Sequence, residues 1–313
     1  MTPCDLRIVC LLPSATEIVA ALGLTNQIVG RSHECDYPPE IENRPICTAA
    51  RINSEQPSAE IDANILDLAQ KAISIYQLKI DVLEELQPTH IITQDQCDVC
   101  AVNFDVVKQA VGELSSSQPE LISLKPNLLR EVWADIEQVA TQLGVPSQPL
   151  LTQLQSRLEA CQQKTQALSD NHRPTVAAIE WTDPLMADGN WIPELITIAG
   201  GNSLFGACGK HSPYLGWEQL VAADPQVIII MPCGFDLDRT HQEAQQLEQQ
   251  LQWSSLQAVR NGKVYLADGN SYFNRPGPRL VDSLEILAEI LHPELFNFGY
   301  QNTGWNCFEA GNA

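Results

Sequence analysis

Leu86-Gln87-Pro88-Thr89-His90-Ile91-Ile92-Thr93-Gln94-Asp95-Gln96-Cys97 and Ala223-Asp224-Pro225-Gln226-Val227-Ile228-Ile229-Ile230-Met231-Pro232-Cys233 follow one plan. Each closes a helical stretch, passes through a proline, runs through a few mostly β-branched residues and reaches a cysteine soon afterwards. Proline has no amide hydrogen and disfavours helix in the residue before it, so the preceding helix must stop. The apolar run that follows is too short for a helix and reads as a strand buried on both faces, the kind found in parallel sheets. A second echo, Ala20-Ala21-Leu22-Gly23-Leu24-Thr25-Asn26-Gln27-Ile28-Val29-Gly30 against Ile198-Ala199-Gly200-Gly201-Asn202-Ser203-Leu204-Phe205-Gly206, suggests that two halves share an architecture.

Working outward, strand runs at 7–12, 27–30, 90–93 and 121–123 alternate with helical stretches at 16–22, 58–68, 82–86 and 103–111. The second half repeats the alternation, with strands at 175–181, 227–231 and 263–266 and helices at 192–199, 237–251 and 278–291. Between the halves, 127–168 has no strand pattern and reads as two successive helices separated at Gly144-Val145-Pro146. In the second of these, Leu150, Leu151, Leu154, Leu158 and Cys161 recur at helical spacing. At 313 residues the chain suits two α/β domains. The expected division is an N-terminal α/β lobe over 1–146, a helix over 147–170 and a C-terminal α/β lobe over 171–313.

The chain carries 39 acidic and 18 basic residues, a formal net charge of −21, which repels phosphate backbones and argues against nucleic acid as a partner. No window approaches a membrane span. The opening stretch, Met1 to Leu24, is apolar but has Asp5 where a leader would carry Lys or Arg, and it is broken by Pro13 and Glu17. It reads as a strand and a helix of the fold, from which a cytoplasmic location is expected, with a periplasmic one as the alternative if a leader precedes it. Ten cysteines in that setting suggest thiols that stay reduced or bind metal.

Open α/β sheets bind ligands beyond the carboxyl ends of their strands, so the residues just after each strand are the candidates. Beyond the first strand, Ser14 and Thr16 can cap a helix and help present amides to a ligand. Beyond the second lies Ser32-His33-Glu34-Cys35-Asp36-Tyr37, from which His33, Glu34 and Tyr37 are taken as ligand-binding candidates. Beyond the third, Gln96 precedes the Cys97-Asp98-Val99-Cys100 pair, whose thiols would sit at a strand-to-helix junction. In the second half Trp181, Trp191, Phe235 and Phe273 offer flat apolar surface and Arg275 a partner for an anionic group. Cys35, Cys97, Cys100 and Cys233 could together hold a soft or borderline metal ion. Hydrolase, nucleotide-binding and metalloprotease motifs are missing, and an acid-base role for His33 and Glu34 lacks a paired nucleophile, so no enzyme is expected.

Leu11-Leu12-Pro13-Ser14-Ala15-Thr16-Glu17, Ser32-His33-Glu34-Cys35-Asp36-Tyr37-Pro38 and Gln96-Cys97-Asp98-Val99-Cys100-Ala101-Val102 resemble the cobalamin-binding branch of the helical-backbone ABC transporter substrate-binding proteins. Glu180-Trp181, Trp191-Ile192-Pro193-Glu194-Leu195, Met231-Pro232-Cys233-Gly234-Phe235 and Arg275-Pro276-Gly277-Pro278-Arg279-Leu280 extend that resemblance through the second half. It implies two α/β lobes with mainly parallel sheets, bridged by a single long helix, and a ligand such as cobalamin or a related metal chelate in the cleft between them. It further implies an ABC transporter permease as partner, a monomer, no required cofactor beyond the ligand and no catalysis. A cytoplasmic metal-handling or thiol-redox protein is the competing expectation.

Overall fold

The computed structural model describes residues 5–71, 75–95, 104–114 and 116–309. These fall into two compact units, one formed by 1–126 with 130–153 and the other by 127–129 with 154–313.

In the first unit, β1 (Ile8–Cys10), β2 (Ile28–Arg31), β3 (Thr48–Ala50), β4 (Tyr76–Leu78), β5 (His90–Gln94) and β6 (Glu120–Leu124) are interleaved with α1 (Pro13–Ala21), α2 (Ser58–Gln70), α3 (Ile80–Leu86) and α4 (Phe104–Glu113). Two further helices, α5 (Leu129–Gln142) and α6 (Gln148–Gln166), occupy the stretch that lacked a strand pattern, and the boundary between the units falls within α6, after Gln153. The main sheet has order β2-β1-β5-β6 and is parallel throughout, with Ile8 beside His90 and His90 beside Glu120. Its central strands are buried on both faces, which is why they read as unbroken apolar runs. Helix α1 begins at Pro13 rather than Thr16, because proline at the first helical position gives up an amide that had no partner anyway. Strands β3 and β4 form a separate antiparallel pair, Thr48 opposite Leu78 and Ala50 opposite Tyr76. A side chain at Gly30 would meet Cys47 Sγ and Leu86 Cδ1, each at 2.7 Å, so a bare backbone lets β2 pack against both segments.

The second unit contains β7 (Thr175–Thr182), β8 (Leu185–Ala187), α7 (Ile192–Ile198), β9 (Asn202–Ser203), α8 (Trp217–Ala223), β10 (Val227–Ile230), α9 (Leu237–Glu248), α10 (Gln257–Arg260), β11 (Val264–Ala267), α11 (Leu280–Leu291) and β12 (Trp305–Cys307). Its sheet runs β12-β11-β10-β7-β8, with β9 also on β7. The β9-β7, β7-β10 and β10-β11 pairs are parallel, whereas β8 and β12 pair antiparallel. Ile228 and Ile230 point into a cluster with Ala177, Ile179, Leu247 and Trp253, and α11 is buried along nearly its whole length. The architecture is α/β with mainly parallel sheets, as expected. No helix among the described residues is long and apolar enough to cross a membrane.

Candidate functional site

At the carboxyl ends of β1 and β2 the first unit gathers polar side chains around one buried hydroxyl. Thr48 Oγ1 accepts from the backbone N–H of His33 at 3.0 Å, lies 2.7 Å from His33 Nδ1 and donates to Ser32 Oγ at 3.0 Å. Ser32 Oγ also accepts from the Glu34 N–H, and Glu34 Oε1 accepts from Tyr76 OH at 2.8 Å. The His33 ring stands 5.5 Å from the Tyr76 ring, tilted by 49°. Arg31 closes the loop from behind, donating to the carbonyls of Ser32, Cys35 and Glu42. Burial, with the positive charges of Lys79 and Arg31, pushes the His33 pKa below its ordinary value, so the half-buried imidazole is neutral near pH 7.

Three described thiols of this unit are buried. Thr16 Oγ1 donates to Cys35 Sγ at 3.0 Å, and Cys10, Cys35 and Cys47 are buried. Burial pushes Cys47 up to about 12 and Cys10 well above the usual thiol range, so both are protonated thiols near pH 7.

The second unit builds its strand ends from rings. Trp181, at the end of β7, packs on Phe235 with centroids 5.3 Å apart, and the Arg239 guanidinium lies 4.6 Å from the Phe235 centroid. Arg239 in turn donates through Nε and Nη2 to Glu243 Oε1 at 3.1 and 2.9 Å, while Thr182 donates to Glu243 Oε2 at 2.5 Å. The loops after β10 and β11 are tied together: Asn270 N–H donates to Phe235 O, Asn274 donates to Met231 O and Gly269 O, and a side chain at Gly269 would land on the Pro232 carbonyl. Beneath them, Glu180 accepts from Ser212 Oγ at 2.7 Å and Asp188 from Ser203 Oγ at 2.9 Å. Burial raises Glu180 to about 7 and Asp188 to about 6, against the opposing pull of those hydroxyls.

The sequence candidates are distributed unevenly over this framework. His33 and Glu34 are half-buried members of the Thr48 and Tyr76 network, and Tyr37 is exposed. Ser14 and Thr16 are buried in α1, so their side chains present no surface to a ligand in this structure. Trp181 is partly exposed and packs on Phe235, which is itself buried and offers little open surface. Phe273 and Trp191 are core residues instead: Phe273 is fully buried, and Trp191 donates its Nε1–H to the Phe273 carbonyl at 2.9 Å. Arg275 is buried too and donates to Asn270 Oδ1, a strut of the loop rather than an open anion partner. Gln96, Cys97 and Cys100 lie outside the described residues. Cys35 belongs to the first unit and the exposed Cys233 to the second. Among the described residues no group of three or more His, Cys, Asp and Glu is placed to hold a metal ion. Sequence reading missed Thr48, Tyr76, Arg239 and Glu243: Thr48, Tyr76 and Glu243 have partners 15, 42 and 61 residues distant, and Arg239 pairs with Glu243 one turn along a polar helix.

The family model described as "Periplasmic binding protein" matches residues 8–270. The "Uncharacterized ABC transporter substrate-binding lipoprotein YvrC" of Bacillus subtilis is 23% identical over 299 residues, 93% of this chain and 81% of the relative. The "Vitamin B12-binding protein" of Vibrio cholerae is 22% identical over 300 residues, 91% of this chain and 88% of the relative. The structure is also similar to that of the "Periplasmic heme-binding protein RhuT" of Roseiflexus sp. RS-1, with a TM-score of 0.68 at 22% identity, covering 92% of this chain and 98% of that one. These relatives overturn the cytoplasmic location expected from the opening residues. A lipoprotein and a periplasmic protein point to an extracytoplasmic place, and the apolar opening stretch is simply β1 and α1 of the fold, which says nothing about a leader.

Proposed function

The chain belongs to the periplasmic binding protein family, and from that premise we propose that it captures vitamin B12 or a related metal chelate for an ABC uptake system. The observation that carries the reading is the family match together with end-to-end similarity to a vitamin B12-binding protein, which covers about nine-tenths of both chains. The loops at the strand ends support it. A macrocycle uses apolar surface and a few fixed polar groups; the second unit by itself offers the partly exposed Trp181 ring, and the first by itself offers the Thr48-centred network. The permease of such a system is the proposed macromolecular partner.

We assign it no catalytic step. His33 and Glu34 are engaged by Thr48 and Tyr76, a framework that holds side chains still rather than pairing a nucleophile with a base. Calorimetric titration with cyanocobalamin, hemin and a ferric siderophore tests the proposal. Binding of at least one of them at or below ~10 μM, roughly −7 kcal/mol, is expected, and heatless titrations with all three would overturn it.

A further inference from the structure

Within that reading of the function, we infer that His33 is a metal donor, its Nε2 coordinating the central metal of a planar chelate that carries an exchangeable axial water, a corrinoid cobalt(III) or a porphyrin iron(III). The ring is fixed before any ligand arrives. Its backbone N–H and its Nδ1 both meet Thr48 Oγ1, at 3.0 and 2.7 Å, and the Tyr76 ring flanks it at 5.5 Å. A threonine hydroxyl has one proton to give and two lone pairs. Thr48 gives its proton to Ser32 Oγ, so its lone pairs receive the His33 N–H and an Nδ1–H. That places the imidazole proton on Nδ1 and the lone pair on Nε2, which has no hydrogen-bond partner among the described residues. Thr48 and Ser32 are only 1% and 2% exposed, so water does not compete for the orienting oxygen. Metal-binding histidines are held in this way, through the ring nitrogen that does not face the metal.

The surroundings choose a chelate over a bare ion. A bare ion needs several protein donors, and none of the described residues supplies a group of three. A chelate brings its own equatorial donors and asks the protein for one. Arg31 and Lys79 disfavour added positive charge at the ring, whether a proton or a naked cation, while Glu34, the next residue in the loop, accepts from Tyr76. A macrocycle offsets part of the charge of its metal and reduces that penalty. In the binding step the Nε2 lone pair forms the metal–nitrogen bond and the axial water leaves intact. No electron is transferred, and the proton stays on Nδ1, still donated to Thr48 Oγ1.

Visible absorption of the full-length protein with aquocobalamin, cyanocobalamin and hemin tests the assignment, alongside His33→Ala, His33→Gln and Thr48→Val variants checked for folding by circular dichroism. With wild type, aquocobalamin or hemin should acquire the spectrum that free imidazole induces in the same chelate. Which of the two responds identifies the macrocycle. Both His33 variants should lose that spectrum and bind about tenfold more weakly or worse, added imidazole should restore the spectrum, and Thr48→Val should weaken binding by about 10- to 100-fold while keeping it. Cyanocobalamin, whose axial positions are filled, should bind the His33 variants as it binds wild type. Binding by wild type without the spectral change, or an unchanged spectrum in both His33 variants, overturns the inference alone. No binding of any of the three chelates overturns the function proposed above and this inference with it.

Discussion

The two units place their loops at the same topological position and build them from different chemistry. Beyond β1 and β2 the first unit uses neutral hydrogen bonds that converge on Thr48, and it buries Cys10, Cys35 and Cys47. Beyond β7, β10 and β11 the second uses a tilted pair of rings, an Arg239–Glu243 ion pair and two buried carboxyls. A hydroxyl network aims one side chain with precision at small cost. A ring platform offers area, and it must be propped by charge because a guanidinium against a ring is held in place only if its own donors are satisfied. One unit fixes a side chain through hydroxyls, and the other holds its rings in place through charge.

That contrast can be broken in graded ways. Glu243→Ala should have the largest effect, about 3 kcal/mol of lost stability, because it strands Arg239 and the Thr182 hydroxyl beneath the platform; urea denaturation would show it. Gly269→Ala should follow at about 2 kcal/mol, since the new methyl meets a backbone carbonyl that cannot swing aside. Thr48→Val should cost about 1.5 kcal/mol by leaving the His33 N–H without its acceptor, and a loss larger than that of Glu243→Ala would reverse the proposed division between the units. Trp181→Ala should leave the fold intact and weaken chelate binding by about 1 kcal/mol, read by calorimetry.

The smallest effect is one of pH. Glu180 has a raised pKa in the fold, so between its ordinary value and about 7 the native state holds more proton than the unfolded chain. Stability from this group is present at acid pH and is lost as pH rises through 7. The lowered His33 works the other way, its contribution being lost as pH falls below the ordinary histidine value. Thermal midpoints between pH 5 and 8 should therefore flatten in Glu180→Gln on the alkaline side, and an unchanged slope would remove Glu180 from the account.

Strands β5 and β10 were legible from residues 90–94 and 227–230 because a β-branched run after a proline has few other readings. The pair β3 and β4, the edge strands β8 and β12, and α10 were not, since three or four residues are too few to show a period. Aromatic residues near strand ends could be listed but not sorted. Trp181 and Trp191 look alike in sequence, yet the second turns inward because the Phe273 carbonyl is there to accept its N–H.

By itself, then, the order of residues determined the α/β class and its mainly parallel sheets. Those follow from periodicity and turn chemistry, which act over a few neighbouring residues. Only the tertiary structure decided that His33 is oriented by Thr48, that Cys35 lies under Thr16 and that Phe273 and Arg275 support the loops from within. Hydrogen-bond partners and burial are set by which surfaces the packed sheets bring together, and separations along the chain carry no record of that.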